Sequence, residues 1–349
     1  MGRKIEYIAD KTELLEILKK YKIPVKEEEF RHPFPILYPR KYVLRILSRA
    51  QDDKSKLQAK NILLCPKVEV WEEPSNGVKF SFFTEETKDS NPLKGLTRAY
   101  PDRVLVSPVG QCGINCAWCF RARQKGMLTV EEIERILNYI KNDVRIEDVI
   151  ITGGEPFLFP MERLREFLAR LRTISHIKII RFHTRLPIVT PEFFNDEIIE
   201  MIGKFNKPGY PIYLVVQVIH PLEIDEEVVQ LIYKFALQGI TILNQAPVLR
   251  GINDDQETFN NWMKSMIHAG IKPYYVIVPI IRPGFNDPYF VPYSKVAELV
   301  AGYSSLYDGL GRPTIIVPIM GKKMSPLELR NKMMEKEGVH FRNTKAEIW

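Results

Sequence analysis

The chain has 349 residues, 45% of them hydrophobic and 27% charged. That composition excludes wholesale disorder, a collagen-like repeat and a disulfide scaffold, and the length allows a full core without staples. With 50 Lys and Arg against 43 Asp and Glu the net charge is +7, an excess that small-molecule enzymes also carry and that does not by itself call for nucleic acid. No apolar run reaches the ~18 residues needed to cross a bilayer, and MGRKIEYIADKTELL at the N-terminus lacks the apolar stretch of a secretory leader; a cytoplasmic protein without membrane contact is expected.

In chain order, residues 1–95 read as an N-terminal accessory region. ADKTELLEILKKY over 9–21 sets Leu14, Leu15 and Leu18 at helical spacing. The stretch 68–83 alternates weakly around Ser75-Asn76-Gly77, a hairpin signal, and 84–95 is polar and turn-rich, a linker or surface loop. From 102 onward the pattern changes to short apolar runs alternating with amphipathic ones. Strands are predicted over 103–109, 148–153, 177–183, 212–218, 240–246, 274–280 and 314–319, with helices over 129–142, 160–172, 191–202, 224–237, 256–268 and 294–306. Such alternation builds βαβ units on a parallel sheet. Right-handed crossovers repeated in one sense curl the sheet, and six or seven units are fewer than the eight of a closed barrel. The fold class is therefore α/β, a partial (β/α)6 TIM-type barrel over 96–320 with a short charged tail over 321–349.

Of the four cysteines, Cys112, Cys116 and Cys119 fall in QCGINCAWCF with spacing Cys-x3-Cys-x2-Cys; Cys65 lies far upstream and reads as an inert buried thiol. Clustered thiols in a reducing compartment are ligands more often than disulfides. Zinc in a structural site takes four protein ligands, so a zinc reading, with or without RNA binding, needs Cys65 or a histidine to complete it. A cubic iron–sulfur cluster commonly takes four cysteines; three leave one iron open to a substrate or cofactor. The loop follows the first barrel strand, where βα-barrel active sites lie.

Cys-x3-Cys-x-aromatic-Cys after the first strand, with Gly153-Gly154-Glu155-Pro156 closing the second, resembles the radical S-adenosylmethionine (SAM) superfamily. The resemblance implies a [4Fe-4S] cluster on Cys112, Cys116 and Cys119. SAM would chelate the open iron, and one electron from a flavodoxin- or ferredoxin-type donor would release a 5′-deoxyadenosyl radical. It also implies SAM contacts at Gly153, Gly154, Glu155, Arg185, His220 and Gln245. Further segments are similar to the lysine 2,3-aminomutase family: Tyr100-Pro101-Asp102-Arg103-Val104-Leu105, His183-Thr184-Arg185, His220-Pro221, Asn244-Gln245, and Leu249 to Asp254. That likeness implies pyridoxal phosphate (PLP), a migration of nitrogen from carbon 2 to carbon 3 of an amino acid, and Arg121 as partner of the substrate carboxylate, a bidentate pairing that sets orientation as well as charge.

Three departures from the family pattern bear on substrate and cofactor. Where lysine-specific members carry two aspartates, this chain has Ile280 and Pro318; an ammonium buried there without a partner is strongly unfavourable, so a small amino-acid-like substrate other than lysine is expected. Arg282, two residues after Ile280, reads first as a surface arginine and second as a partner for an acidic or phosphorylated substrate. The glycine-rich loop that bears the PLP lysine is compressed to Met320-Gly321-Lys322-Lys323-Met324, leaving Lys322 or Lys323 for that role. An arginine of the phosphate site is replaced by Ala99, with Arg98 one place earlier and Arg103 as the remaining partner. A radical SAM enzyme without PLP, acting on RNA or a protein-borne group, is the alternative. The charged tail is compatible with a homo-oligomer.

Overall fold

The computed structural model describes residues 5–25, 32, 34–65, 93–119, 126–279, 287–307, 309–319 and 322–326. The segment predicted as a hairpin, Arg121, Ile280, Arg282, Met320, Gly321 and most of the tail lie outside them.

Near the N-terminus, β1 (Tyr7–Ile8) pairs antiparallel with β2 (Tyr38–Pro39), followed by three helices, α1 (Lys11–Lys20), α2 (Arg40–Arg49) and α3 (Asp53–Leu63). A nine-stranded sheet carries the rest. In chain order its strands are β3 (Leu96–Tyr100), β4 (Arg103–Val109), β5 (Asp148–Gly153), β6 (Ile179–Thr184), β7 (Ile212–Val216), β8 (Thr241–Pro247), β9 (Lys272–Ile277), β10 (Thr314–Ile319) and β11 (Lys322–Met324), and spatial order equals chain order. Strands β4 to β10 run parallel, and β3 and β11 are antiparallel edges. The backbone amide of Lys323 on one edge donates to the Tyr100 hydroxyl on the other at 2.7 Å, so the sheet curls until its two edges meet at this point.

The crossovers are α4 (Val130–Asn142), α5 (Met161–Leu171), α6 (Leu186–Val189) with α7 (Asp196–Gly203), α8 (Glu226–Leu237), α9 (Gln256–His268) and α10 (Tyr293–Leu306). The helix α4 shows why they form where they do. Thr129 and Glu132 make a reciprocal capping box, and Ile133, Ile136, Leu137 and Ile140 recur at helical spacing and are buried. Each such side chain contributes roughly 1.5–3 kcal/mol by leaving water. The strands divide by parity. Ile180 and Phe182 of β6 join the outer core under the helices, while Arg181 between them turns inward to Asp148 of β5. The barrel wall is thus apolar outside and partly charged within.

The N-terminal helices close onto the barrel at the carboxyl ends of its strands. Their buried residues Tyr42, Val43, Ile46, Leu47, Ile62 and Leu63 belong to the same continuous core as the strands. Tyr289 donates to the carbonyls of Asn61 and Leu64 at 3.0 and 3.2 Å, and Asn61 donates to Gly251 at 2.8 Å. Two helices here, α2 and α3, and both antiparallel edge strands have no counterpart in the elements predicted from sequence. No helix among the described residues is long and apolar enough to cross a membrane.

Candidate active site

The cysteines stand on the loop that leaves the carboxyl end of β4, and all three are half-buried and in no disulfide. Three neighbours pin this loop. Gly154 and Glu155 donate their amides to the carbonyls of Val109 and Gln111 at 2.9 and 2.7 Å, and Gly110 donates to Gly126 at 2.9 Å. From the N-terminal region, Leu37 and Pro35 accept from the backbone and side chain of Asn115 at 3.0 and 2.7 Å. The glycine pair is required by this packing. A Cβ on Gly154 would lie 2.0 Å from the Gln111 carbonyl oxygen, and Gly153 has φ +110 with Val109 oxygen and the Ser107 side chain both 2.8 Å from its would-be Cβ. The glycines expected to bring backbone close to SAM therefore bring it close to the cysteine loop first, and the amides of Gly154 and Glu155 are spent there.

Arg185, expected as a SAM contact, is a buried hub. Its Nη1 donates to Cys116 Sγ at 3.1 Å and to Gln217 Oε1 at 3.2 Å; its Nη2 donates to Glu223 Oε1 at 2.6 Å and to the Tyr42 hydroxyl at 3.1 Å. The guanidinium lies 4.7 Å over the Trp118 ring, which gives the aromatic residue before the last cysteine a physical role. Of the three guanidinium nitrogens of Arg185, Nε is the one buried without a hydrogen-bond partner among the described residues. Burial pushes the Cys116 thiol up to about 11, against the pull of Arg185 and with Cys119 adding to the rise. Tyr42, Gln217 and Glu223 were not singled out from sequence. Tyr42 lies more than a hundred positions from its partners, and no local pattern marks it.

Two expected SAM contacts have side chains that are hydrogen-bonded within the protein. The Glu155 carboxylate is buried and fully engaged: Oε1 accepts from Thr184 Oγ1 at 2.6 Å and the Phe157 amide at 3.3 Å, and Oε2 from the amides of Arg185 and Leu186 at 3.0 and 3.1 Å. It caps the turn after β6 and ties β5 to β6. Burial raises its carboxyl to about 7, against these four donors. His220 is likewise a core residue: its Nε2 is 3.1 Å from Gln58 Oε1, and its Nδ1 accepts from the Leu222 amide at 3.1 Å. Burial holds its pKa down to about 3. The ring is therefore neutral, with the Nε2 proton donated to Gln58.

Inside the barrel, Lys323 reaches Gln245 Oε1 at 2.5 Å and stands 5.3 Å over the Tyr275 ring. It projects from β11 directly opposite Pro318 of β10. Arg181 pairs with Asp148, and burial raises the Asp148 carboxyl in spite of that partner. Arg103 is held in a two-point pair with Asp102 at 2.9 and 3.0 Å and covers the Tyr100 ring at 4.5 Å. Arg98 turns away from the lumen to Asp143 and Tyr139 of the α4 segment, at 2.6 and 3.1 Å, and cannot stand in for the arginine that Ala99 replaces.

Among the described residues no three Cys, His, Asp or Glu side chains are close enough together to hold a metal ion. Thiols have no mutual attraction that would gather them, and it is a bound metal that deprotonates and converges them. The donor set fits an iron–sulfur cluster in its chemistry: three thiols on one anchored loop, with an arginine N–H on one sulfur. For PLP the fit rests on Lys323, since the one remaining arginine, Arg103, already has a carboxylate partner.

Residues 106–290 match the family model of the radical SAM superfamily, and the chain belongs to that family. Within it, the chain is a radical SAM enzyme related to lysine 2,3-aminomutases. It is 31% identical over 344 residues to "Putative L-lysine 2,3-aminomutase" of Aquifex aeolicus, covering 96% of this chain and 90% of that protein. It is 32% identical over 240 residues to L-lysine 2,3-aminomutase of Clostridium subterminale, covering 68% of this chain and 56% of that one. The match to L-lysine 2,3-aminomutase of Bacillus subtilis is also 32% over 240 residues, covering 68% and 50%. The chain thus spans about half the length of the latter two.

Proposed function

We propose that Cys112, Cys116 and Cys119 hold a [4Fe-4S] cluster at which SAM is cleaved, and that the enzyme shifts an amino group on a small amino-acid-like substrate other than lysine. The observation that carries this reading is the cysteine loop itself, leaving the carboxyl end of the first parallel strand and locked there by Gly154, Glu155 and Asn115. When bound, the cluster and SAM supply a carbon-centred radical able to take hydrogen from an unactivated C–H bond. The chain's own residues position and enclose. The Gly154 and Glu155 amides hold the loop, Arg185 and Trp118 wall it, and Gln245, Tyr275 and Lys323 line the lumen beneath.

Lys323, not Lys322, is the lysine we assign to PLP, because its ammonium lies in the lumen on Gln245. The Arg121 guanidinium is the proposed partner of the substrate carboxylate. The exclusion of lysine is supported by Pro318, which faces Lys323 across the β10–β11 pairing: a second ammonium there meets a cation. The reading places the protein in the cytoplasm, where thiols stay reduced, and calls for a flavodoxin- or ferredoxin-type donor.

The test is anaerobic reconstitution with iron and sulfide, followed by 5′-deoxyadenosine measurement across the amino acids with and without PLP. One amino acid should raise 5′-deoxyadenosine above the uncoupled rate only when PLP is present. Stimulation independent of PLP would shift the reading to another radical substrate, and stoichiometric zinc without iron or sulfide would remove the radical chemistry altogether.

A further inference from the structure

Arg185 follows β6 and is only 7% exposed. Its two terminal nitrogens serve opposite partners. One meets a sulfur, Cys116 Sγ at 3.1 Å, and the other a carboxylate, Glu223 Oε1 at 2.6 Å. Glu223 is wholly buried, and two more donors hold it: the Tyr42 hydroxyl at 2.6 Å on Oε1 and the Ile219 amide at 2.6 Å on Oε2. Tyr42 also accepts from Arg185 at 3.1 Å, which closes a ring of three side chains from α2, the turn after β6 and the turn after β7. A simple structural ion pair would turn the guanidinium fork flat onto the carboxylate. Here the fork is split, and Trp118 at 4.7 Å holds its plane, so that one N–H stays on the sulfur.

We propose that Arg185, positioned by Glu223 and Tyr42, sets the reduction potential of the cluster ligated through Cys116, which makes the N-terminal helix α2 part of the redox apparatus. This rests on the assignment of the three cysteines as cluster ligands. A fixed cation and an N–H donor at a ligating sulfur stabilise the added electron and raise the potential. The buried Glu223 charge opposes this, and the Tyr42 hydroxyl moderates it.

The experiment uses the full chain, reconstituted anaerobically, with iron and sulfide counted and the midpoint potential read by a mediated titration followed by electron paramagnetic resonance. Arg185→Gln should make reduction at least tenfold less favourable, a downward shift of about 59 mV for one electron. Glu223→Gln should shift the potential upward, and Tyr42→Phe downward by less than Arg185→Gln. A purely structural ring would change thermal stability in all three variants and leave the potentials together. If Arg185→Gln fails to load iron, the opposite signs of the other two decide. Potentials equal to wild type in the loaded variants overturn the inference while leaving the cluster intact; a wild-type chain that takes up no iron and sulfide overturns the ligand assignment, and this inference with it.

Discussion

Substituting alanine for Gly154 tests the frame on which the site is built. The new Cβ would sit 2.0 Å from the Gln111 carbonyl oxygen, 2.5 Å from its carbon and 2.6 Å from the Gly110 carbon. Unstrained carbon contacts begin near ~3.5 Å, and the obstacle is backbone, which cannot swing aside as a side chain can. The cysteine loop must therefore retreat from β5 by roughly 1.5 Å, and the amides of Gly154 and Glu155 lose their acceptors at Val109 and Gln111. Two hydrogen bonds at about 1 kcal/mol each, with a further 1–3 kcal/mol if a buried group is left stranded, give a loss of about 2–5 kcal/mol. For 349 residues the unfolding entropy converts this at about 1.4 °C per kcal/mol into a fall in Tm of about 3–7 °C. Metal–ligand distances tolerate only about 0.2 Å, so iron bound after reconstitution should fall by at least half. Thermal unfolding followed by circular dichroism, with iron and sulfide assays on the same preparation, checks both numbers. A Gly154→Ala protein with unchanged Tm and full iron would refute the argument that this glycine serves the loop.

Cys116→Ala should abolish reductive SAM cleavage, read as 5′-deoxyadenosine; retained cleavage means the ligand set is wrong. Lys323→Met should prevent borohydride from fixing PLP to the protein, while Lys322→Met leaves the fixed adduct detectable by peptide mass spectrometry; the reverse pattern would exchange the two lysines. His220 carries a pH prediction. Its pKa falls from 6.5 unfolded to about 3 folded, so below pH 6.5 the unfolded chain takes up a proton that the folded chain refuses, and stability is lost as the pH falls towards 3. Relative to His220→Gln, wild type should lose roughly 1.5 kcal/mol between pH 6.5 and about 5 in urea titrations; parallel curves would mean the ring is not held neutral. Tyr289→Phe removes the hydroxyl that meets the carbonyls of Asn61 and Leu64 and should cost about 1–3 kcal/mol. Unfolding should stay a single transition, since the N-terminal helices share the barrel's core, and two separated transitions would contradict that continuity.

The barrel was legible in the sequence because its signals are local. Strand β4, strand β5, strand β10 and helix α9 run over the residues predicted for them, and the other parallel strands and crossover helices shift by a few positions, since apolar periodicity and N-caps such as Thr129 and Asp255 act within a few residues. The three thiols were legible for the same reason. The predicted helix over 191–202 instead opens as a single 3-10 turn, Pro191–Phe193, and the helix α7 starts only at Asp196 behind its N-cap Asn195.

Which polar residues are spent on the frame and which face the site was decided by tertiary structure alone. Glu155 and His220 stand in the right motifs, yet their side chains are taken by Thr184, the Leu186 amide and Gln58. Tyr42 and Glu223 carry no motif, yet they hold the arginine that reaches Cys116. Hydrogen bonds and buried charges are settled by whichever partner the fold brings within about 3 Å. For Tyr42 and Glu223 that partner is 181 positions away along the chain, a separation that only the closed-up barrel and its N-terminal helices remove.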